Sequence, residues 1–554
     1  MGEVSGRFGT RLLAQAHSYN ARMTPATMPP SPFSPMQAKR MGLPIGIQGF
    51  AKLREEGCYY VDKTPYALRL IREGGHYFLS RPRRFGKSLF LDTLKELFEG
   101  NRELFKGLAA ETQWDWTKPY PVIRISFGAG VLKTSADLQA ALHQKLHEHE
   151  TTQGLAAQFP DARSRFIDLI QRIHAKTGRR VVVLIDEYDK PILDNITDSA
   201  TAIAMREGLK DLYSVLKDAD AHLKFVFLTG VSKFSKVSLF SGLNNLQDIT
   251  LMPEYSALCG YTDEDVDTVF APELSGLDRE AVRRWYNGYN WLGTSVYNPF
   301  DLLLLFRNRK FKPYWFETGT PTFLIQLLAE RRFFTPNLSQ VVAHEKLLST
   351  FDVDNIPPEA LLFQTGYLTI HDSREPLLGN WVYTLGYPNR EVESSLNMAL
   401  LTGYGLSEQH ALSTRLALIE LLQTRNLAGL EPLFHALFAG IPHDWYRKNQ
   451  LAQFEGYYAS IFYSYFAALG LDIRLEDTTN HGRIDMAVLF NNEVLLFEFK
   501  VVELTPQGKA LQQIKDRGYA DKYRARGEPI HLIGVEFSKD SRNVVGFEVE
   551  TLHV

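Results

Sequence analysis

The sequence predicts an α/β protein: a mostly parallel sheet covered by helices in its first half, a largely helical middle region, and a smaller α/β unit at the C-terminal end. Three observations predict this. From Gly46 onward, apolar runs of strand length alternate with helical stretches, which is the pattern of a parallel sheet buried on both faces. Beyond about Tyr261 helical periodicity takes over, as in Pro321–Glu330 and Leu412–Leu422. The final stretch mixes strands and helices again around one polar hairpin.

In chain order, residues 1–43 hold Pro25, Pro29, Pro30, Pro32 and Pro35 and a single acid, Glu3, so they read as a disordered tail. A first domain is expected over 44–260, with strands at His76–Ser80, Val122–Phe127, Val181–Ile185, Lys224–Thr229 and Ile249–Leu251. Between them fall helices over Leu89–Phe98, Ala136–His149, Ala162–Ala175 and Ala204–Lys217. A mainly helical region is expected over 261–435. A last domain, 436–554, is expected to hold a helix over Gln450–Leu469, strands at Ile484–Phe490 and Val494–Val501, a helix over Pro506–Tyr523 and a strand at His531–Phe537.

A formal charge of -3 gives no chain-wide attraction to nucleic acid, so any such binding must rest on local basic patches. Cys58 and Cys259 are the only cysteines and lie far apart, which argues against a disulfide framework or a structural zinc site. No run of ~18 apolar residues occurs, so no membrane span is expected and a cytoplasmic setting is the default. An oligomer is compatible with the sequence.

Chemistry enters at Gly86-Lys87-Ser88, which follows a strand by a short loop and opens a helix. In such a phosphate-binding loop, backbone N–H groups and the helix N-terminus hold the phosphates, the lysine adds charge at the β/γ positions, and the serine hydroxyl binds Mg²⁺. The first glycine of the usual pattern is replaced by Arg81, and Arg81, Arg83 and Arg84 are left open to face phosphate or a partner; Arg84 is counted with the phosphate contacts. The apolar strand from Val181 ends in Asp186-Glu187, placing acids at the carboxyl end, where open α/β sheets bind ligands. Asp186 would hold Mg²⁺ and Glu187 would orient the attacking water. Thr229 or Ser232, ending the next strand, would sense the γ-phosphate.

These residues, with Val61-Asp-Lys-Thr64, Ile185-Asp-Glu-Tyr-Asp-Lys-Pro191, Trp285-Tyr-Asn-Gly-Tyr289, Tyr297-Asn-Pro299 and Phe363-Gln-Thr-Gly-Tyr367, resemble the AAA-ATPase-like family of P-loop proteins. In that family an arginine-rich loop replaces the first glycine. The resemblance implies ATP binding and hydrolysis.

Near the C-terminal end, Asn491-Asn492 suits a two-residue hairpin turn, because Asn tolerates positive φ. That register pairs Phe490 with Glu493 and brings Asp485 opposite Glu498, with Lys500 two residues on and on the same face. Two carboxylates and a lysine in an apolar setting point to Mg²⁺ or Mn²⁺ and a scissile phosphate. The constellation resembles the PD-(D/E)XK nuclease superfamily: Asp485 matches the first acid, and Glu498 and Lys500 the second acid and lysine. Glu455 falls where members carry a further acid, and Gln513 and Tyr519 match a downstream pattern. The reading is an ATP-binding, ATP-hydrolysing protein coupled to a Mg²⁺-dependent nuclease acting on DNA or RNA. The alternative is a signalling or remodelling ATPase whose C-terminal domain binds nucleic acid or protein without cleaving.

Overall fold

The computed structural model describes residues 40–233, 245–318, 335–345, 357–403, 407–440 and 455–553, with Leu324, Ile325, Leu328 and Leu348 as single positions. Residues 1–39 of the expected tail, and most of the helix expected over Pro321–Glu330, lie outside the described residues, whereas Gly42, also placed in that tail, bridges to Cys58. Among the described residues no helix is long and apolar enough to cross a membrane.

The first half is a five-stranded parallel sheet, with β1 Gly75–Ser80, β2 Val122–Ser126, β3 Val181–Asp186, β4 Leu223–Gly230 and β5 Leu246–Asp248 in the spatial order β2-β3-β4-β1-β5. Every residue of β3 is buried, as a central strand covered on both faces requires. The fifth strand lies three residues ahead of its expected place at Ile249–Leu251. Asp248 accepts the Thr250 amide at 2.9 Å and turns the chain, so the strand ends there; Ile249 still donates its amide to the Phe78 carbonyl, and its side chain is buried in the core. The four expected helices are present as Lys87–Glu99, Ser135–Thr152, Ala162–Thr177 and Ser199–Asp218.

The middle region is helical at Pro299–Asn308, Pro358–Thr365, Arg390–Gly403 and Glu408–Gln423. It departs from the helical expectation in a three-stranded antiparallel sheet, β6 Val341–His344, β7 Thr369–Leu377 and β8 Asn380–Gly386 in the order β6-β8-β7. Gly379, at φ 79, turns β7 into β8. Most of β7 is exposed and its centre is polar and charged, which hid it from a reading based on apolar runs.

The C-terminal unit is a mixed sheet ordered β13-β12-β11-β10-β9, with β9 Asp472–Thr479, β10 Gly482–Phe490, β11 Glu493–Val502, β12 Ile530–Ser538 and β13 Val544–Leu552. The central pair β11–β12 is parallel, and the edge strands pair antiparallel. The two edge strands were not foreseen: β9 alternates half-buried and exposed positions and carries four charges, so it lacks an apolar run. The helix expected over Pro506–Tyr523 is two short ones, Lys509–Asp516 and Asp521–Arg524, parted by Gly518 at φ 57.

Candidate nucleotide and carboxylate sites

The first site forms where β1 and β3 end. Gly86 takes φ 91, which a side chain would resist, and the helix Lys87–Glu99 begins on it with its amides facing the loop. Lys87 is buried, and its ammonium donates to the carbonyls of Arg81 at 2.9 Å and Pro82 at 2.8 Å. Burial pulls its pKa down, opposed chiefly by Asp186. Ser88 follows and lines the same cavity of about 620 Å³, as do Glu187, Tyr60, Tyr261 and Phe300.

The structure settles where Arg81 points. It is fully buried, donates to the carbonyls of Ser80, Thr250 and Tyr255, and stacks 4.0 Å over Trp291. Burial lowers its pKa to about 10. It braces the loop against the carbonyls of Thr250 and Tyr255 and the Trp291 ring. Arg83 and Arg84 are exposed and line the cavity, with Arg84 4.1 Å over the Phe300 ring.

Asp186 is buried at the end of β3, where the Thr229 hydroxyl donates to it at 2.7 Å. Glu187 follows at φ 52, an uncommon conformation for a non-glycine residue, and burial and then Asp186 raise its pKa. Ser232 instead donates to Asp189, at 2.5 Å from its hydroxyl and 2.6 Å from its amide. Of the two expected sensors, Thr229 therefore touches the Asp186 carboxylate, and Ser232 belongs to a separate buried anchor. Asp189 had no assigned role in the sequence, although it sits two residues beyond Glu187. The middle region also reaches this site: the Trp315 indole donates to the Arg83 carbonyl at 3.2 Å, and Gln364 accepts the Lys233 amide at 2.7 Å. Gln364 lies inside the Phe363-Gln-Thr-Gly-Tyr367 motif, but nothing in the sequence tied that motif to Lys233.

The second site is the β10–β11 hairpin. Asn491 and Asn492 take φ 49 and 59, Phe490 pairs with Glu493, and the register continues to Met486 opposite Phe497. The pairing ends at that pair; beyond it the Asp485 carboxylate accepts the amide of Phe499, the residue after Glu498, at 2.8 Å. Glu498 is 1 % exposed, and one of its oxygens accepts both Lys500, at 3.1 Å, and the Gln513 side chain. Tyr519 is buried beside Gly482. Glu455 opens the helix Glu455–Ala468, but its side chain lies outside the described residues.

Residues 44–240 match the family described as predicted AAA-ATPase, and residues 453–547 match the PD-(D/E)XK nuclease superfamily. A protein of Azotobacter chroococcum mcd 1 named "Uncharacterized protein in vnfD 5'region" is 63% identical over 514 residues, spanning 93% of this chain and 99% of that relative. The chain belongs to this family of predicted AAA-ATPases with a C-terminal PD-(D/E)XK domain. The solved structure of the Aeropyrum pernix ORC1 protein in complex with DNA aligns over 61% of this chain and 93% of that one, at 11% identity and a TM-score of 0.25. A likeness that loose bears on neither fold nor function.

Ser88 and Asp186 lie at the ends of the loop following β1 and of β3, and Asp485 and Glu498 lie on the neighbouring strands β10 and β11; their oxygens are of the kind that suits a hard divalent ion. Among the described residues no group of three or more acids, histidines or cysteines gathers as a metal site. Two carboxylates suit an ion that keeps several waters and takes substrate oxygens, as Mg²⁺ does.

The two domains are joined through the helix Arg390–Gly403. Glu391 accepts the Trp315 amide at 2.9 Å and is buried with Asp301, and burial pushes both carboxyls up. Two residues on, Glu393 accepts the Tyr463 hydroxyl at 3.1 Å, and the Ser464 hydroxyl donates to Asn397 at 3.1 Å. Phe462, on the same helix as Tyr463, packs against Phe499 beside Glu498.

Burial raises the Glu393 carboxyl to about 7, opposed by the Tyr463 hydrogen bond and Arg390. The folded state therefore holds this proton more tightly than the unfolded chain, whose glutamate titrates near ~4.3. The stability this group contributes is full below that value and is lost as pH rises toward 7. Glu393→Gln should match wild type at pH 4 in urea denaturation and exceed it at pH 8, by up to about 3 kcal/mol. An equal stability gap at both pH values would contradict this.

Proposed function

We propose that this protein binds MgATP at Lys87, Ser88 and Asp186, hydrolyses it with Glu187, and uses Asp485, Glu498 and Lys500 to cleave phosphodiester bonds in DNA or RNA. The observation that carries the reading is that Asp485 accepts the Phe499 amide while Glu498, next in the chain to Phe499, accepts Lys500 and Gln513, in the same chain as a Gly-Lys-Ser loop whose Lys87 is held by its carbonyls. Gly86 and Arg84 complete the phosphate contacts, and the apolar Tyr261 and Phe300 end of the cavity receives the base.

At the ATPase site, Lys87 exchanges its two loop carbonyls for phosphate oxygens. Thr229 fixes the Asp186 carboxylate, and Glu187, its pKa raised, takes a proton from the attacking water. At the nuclease site a Mg²⁺ or Mn²⁺ ion would polarise the scissile phosphate. Glu498 is held still by Lys500 and Gln513, and Lys500 stabilises charge developing on the phosphoryl oxygens. Nucleic acid is the proposed partner, with no membrane involved and self-association compatible with the reading. Two buried free cysteines fit a cytoplasmic setting.

A second reading, a signalling or remodelling ATPase whose C-terminal domain binds without cleaving, is favoured by one observation: among the described residues no group of three or more acids, histidines or cysteines gathers as a metal site. Metal-dependent cleavage, lost in Asp485→Ala, separates the two.

Coupling between the sites is part of the proposal. Trp315, Glu391, Glu393 and Tyr463 form a continuous path from the loop carbonyl of Arg83 to the helix that covers Glu498's strand. A tenfold effect of ATP on cleavage requires ~1.4 kcal/mol of differential binding, and nucleic acid must then change ATP affinity by the same factor. Tyr463→Phe is expected to weaken that reciprocity while leaving ATP binding in the absence of nucleic acid unchanged. Cleavage rates and ATP affinities indifferent to each other in wild type would mean two independent modules.

A further inference from the structure

Glu536 lies on β12, opposite Lys500 in the parallel pair with β11, and is 2 % exposed. A buried carboxylate needs partners of its own, and this one finds them outside its strand. One oxygen accepts the amides of Lys509 at 2.7 Å and Ala510 at 3.4 Å, and the other accepts the Gln507 amide. These donors open the helix Lys509–Asp516. Its N-cap residue, Gly508, has no side chain to satisfy them. An acidic group at a helix N-terminus is also favoured by the helix dipole.

Two residues before Glu536, and directly beside Glu498 in the register, stands Gly534. A Cβ there would sit 2.3 Å from the Leu511 amide nitrogen. The helix can therefore rest on the sheet next to Glu498 only because residue 534 is glycine. The next helical turn carries Gln513, whose side chain donates to the same Glu498 oxygen that Lys500 reaches. Glu498 is thus oriented from two sides, by its own strand and by a helix whose position Glu536 sets.

We propose that Glu536 is a positioning residue of the C-terminal site, holding the helix Lys509–Asp516 so that Gln513 can orient Glu498. Its oxygens are engaged by backbone amides, so it acts through Gln513 rather than on the metal or the phosphate. The inference rests on the nuclease reading above. It adds a residue that neither the hairpin nor the downstream glutamine identifies, and it explains why a glutamate belongs in a strand that is buried at every position.

The test uses the full chain without nucleotide and reads Mn²⁺ affinity from electron paramagnetic resonance. Partners that orient a metal ligand typically change affinity 10–100-fold when removed. Glu536→Ala and Gln513→Ala should each weaken the C-terminal Mn²⁺ site about tenfold, and the double variant should be no weaker than the worse single one. Glu536→Gln keeps one acceptor oxygen and should fall between, at roughly a threefold loss. It also carries the test if the alanine variant does not fold. Hydrogen exchange of the 509–516 amides should quicken in the Glu536 variants and stay at the wild-type rate in Gln513→Ala. Wild-type Mn²⁺ affinity in the Glu536 variants, or losses that multiply in the double variant, would overturn the proposal while leaving the nuclease reading intact. A wild-type chain with no C-terminal Mn²⁺ site would overturn both.

Discussion

Lys87→Ala is expected to weaken ATP binding by at least tenfold, measured by titration calorimetry. The substitution removes the buried ammonium that faces Asp186 and Glu187 and leaves the carbonyls of Arg81 and Pro82 without their donor. Truncating one member of a buried, charge-assisted contact costs about 2–5 kcal/mol, and the β/γ-phosphates would lose their nearest cation. Glu187→Gln is expected to behave differently. It keeps the loop, the lysine and the magnesium-binding groups, so ATP should bind at close to wild-type affinity. Hydrolysis should fall on the order of 10²-fold or more, because an amide cannot take the proton from water. Wild-type hydrolysis by both variants would remove the phosphate-loop assignment altogether.

The second large effect is expected at the hairpin. The double variant Asp485→Ala/Glu498→Ala should abolish Mn²⁺ binding outside the ATPase while ATP still binds. Without metal the variant should remain folded and gain stability, since it relieves two neighbouring carboxylates, one of them 1 % exposed. Part of that gain is offset, because the Phe499 amide, Lys500 and Gln513 lose their acceptors. A clear loss of metal-free stability in urea denaturation would assign these acids to holding the fold rather than to function.

How much of this was legible in the sequence depended on whether a residue's role is local. The strands β1 to β4 announced themselves because each carries a run of apolar residues, most completely β3, and the pairing of Phe490 with Glu493 followed from two asparagines in a turn. The strands β7, β9 and β13 did not announce themselves, because exposed strands can be charged and still pair through their backbones. Arg81 illustrates the harder case. Beside Arg83 and Arg84 it reads as one of three equivalent cations, yet its burial depends on carbonyls from Thr250 and Tyr255, about 170 residues away. The same holds for Trp315 at the phosphate loop, for Glu393 against Tyr463, and for Glu536 under a helix. Each is defined by a partner distant in sequence, and no periodicity or spacing records such a contact.

The central claim is that one chain carries a working nuclease site beside a working ATPase site. The measurement that tests it most directly is cleavage of a panel of DNA and RNA substrates with Mg²⁺ or Mn²⁺, with and without ATP, by wild type and Asp485→Ala. The account predicts that wild type cleaves at least one substrate only when the metal is present. It predicts that Asp485→Ala, with ATP binding intact, loses roughly 10³-fold or more of that rate, on the order of 4 kcal/mol of barrier. Metal-independent cleavage, an undiminished rate in Asp485→Ala, or no cleavage of any substrate by wild type would contradict it.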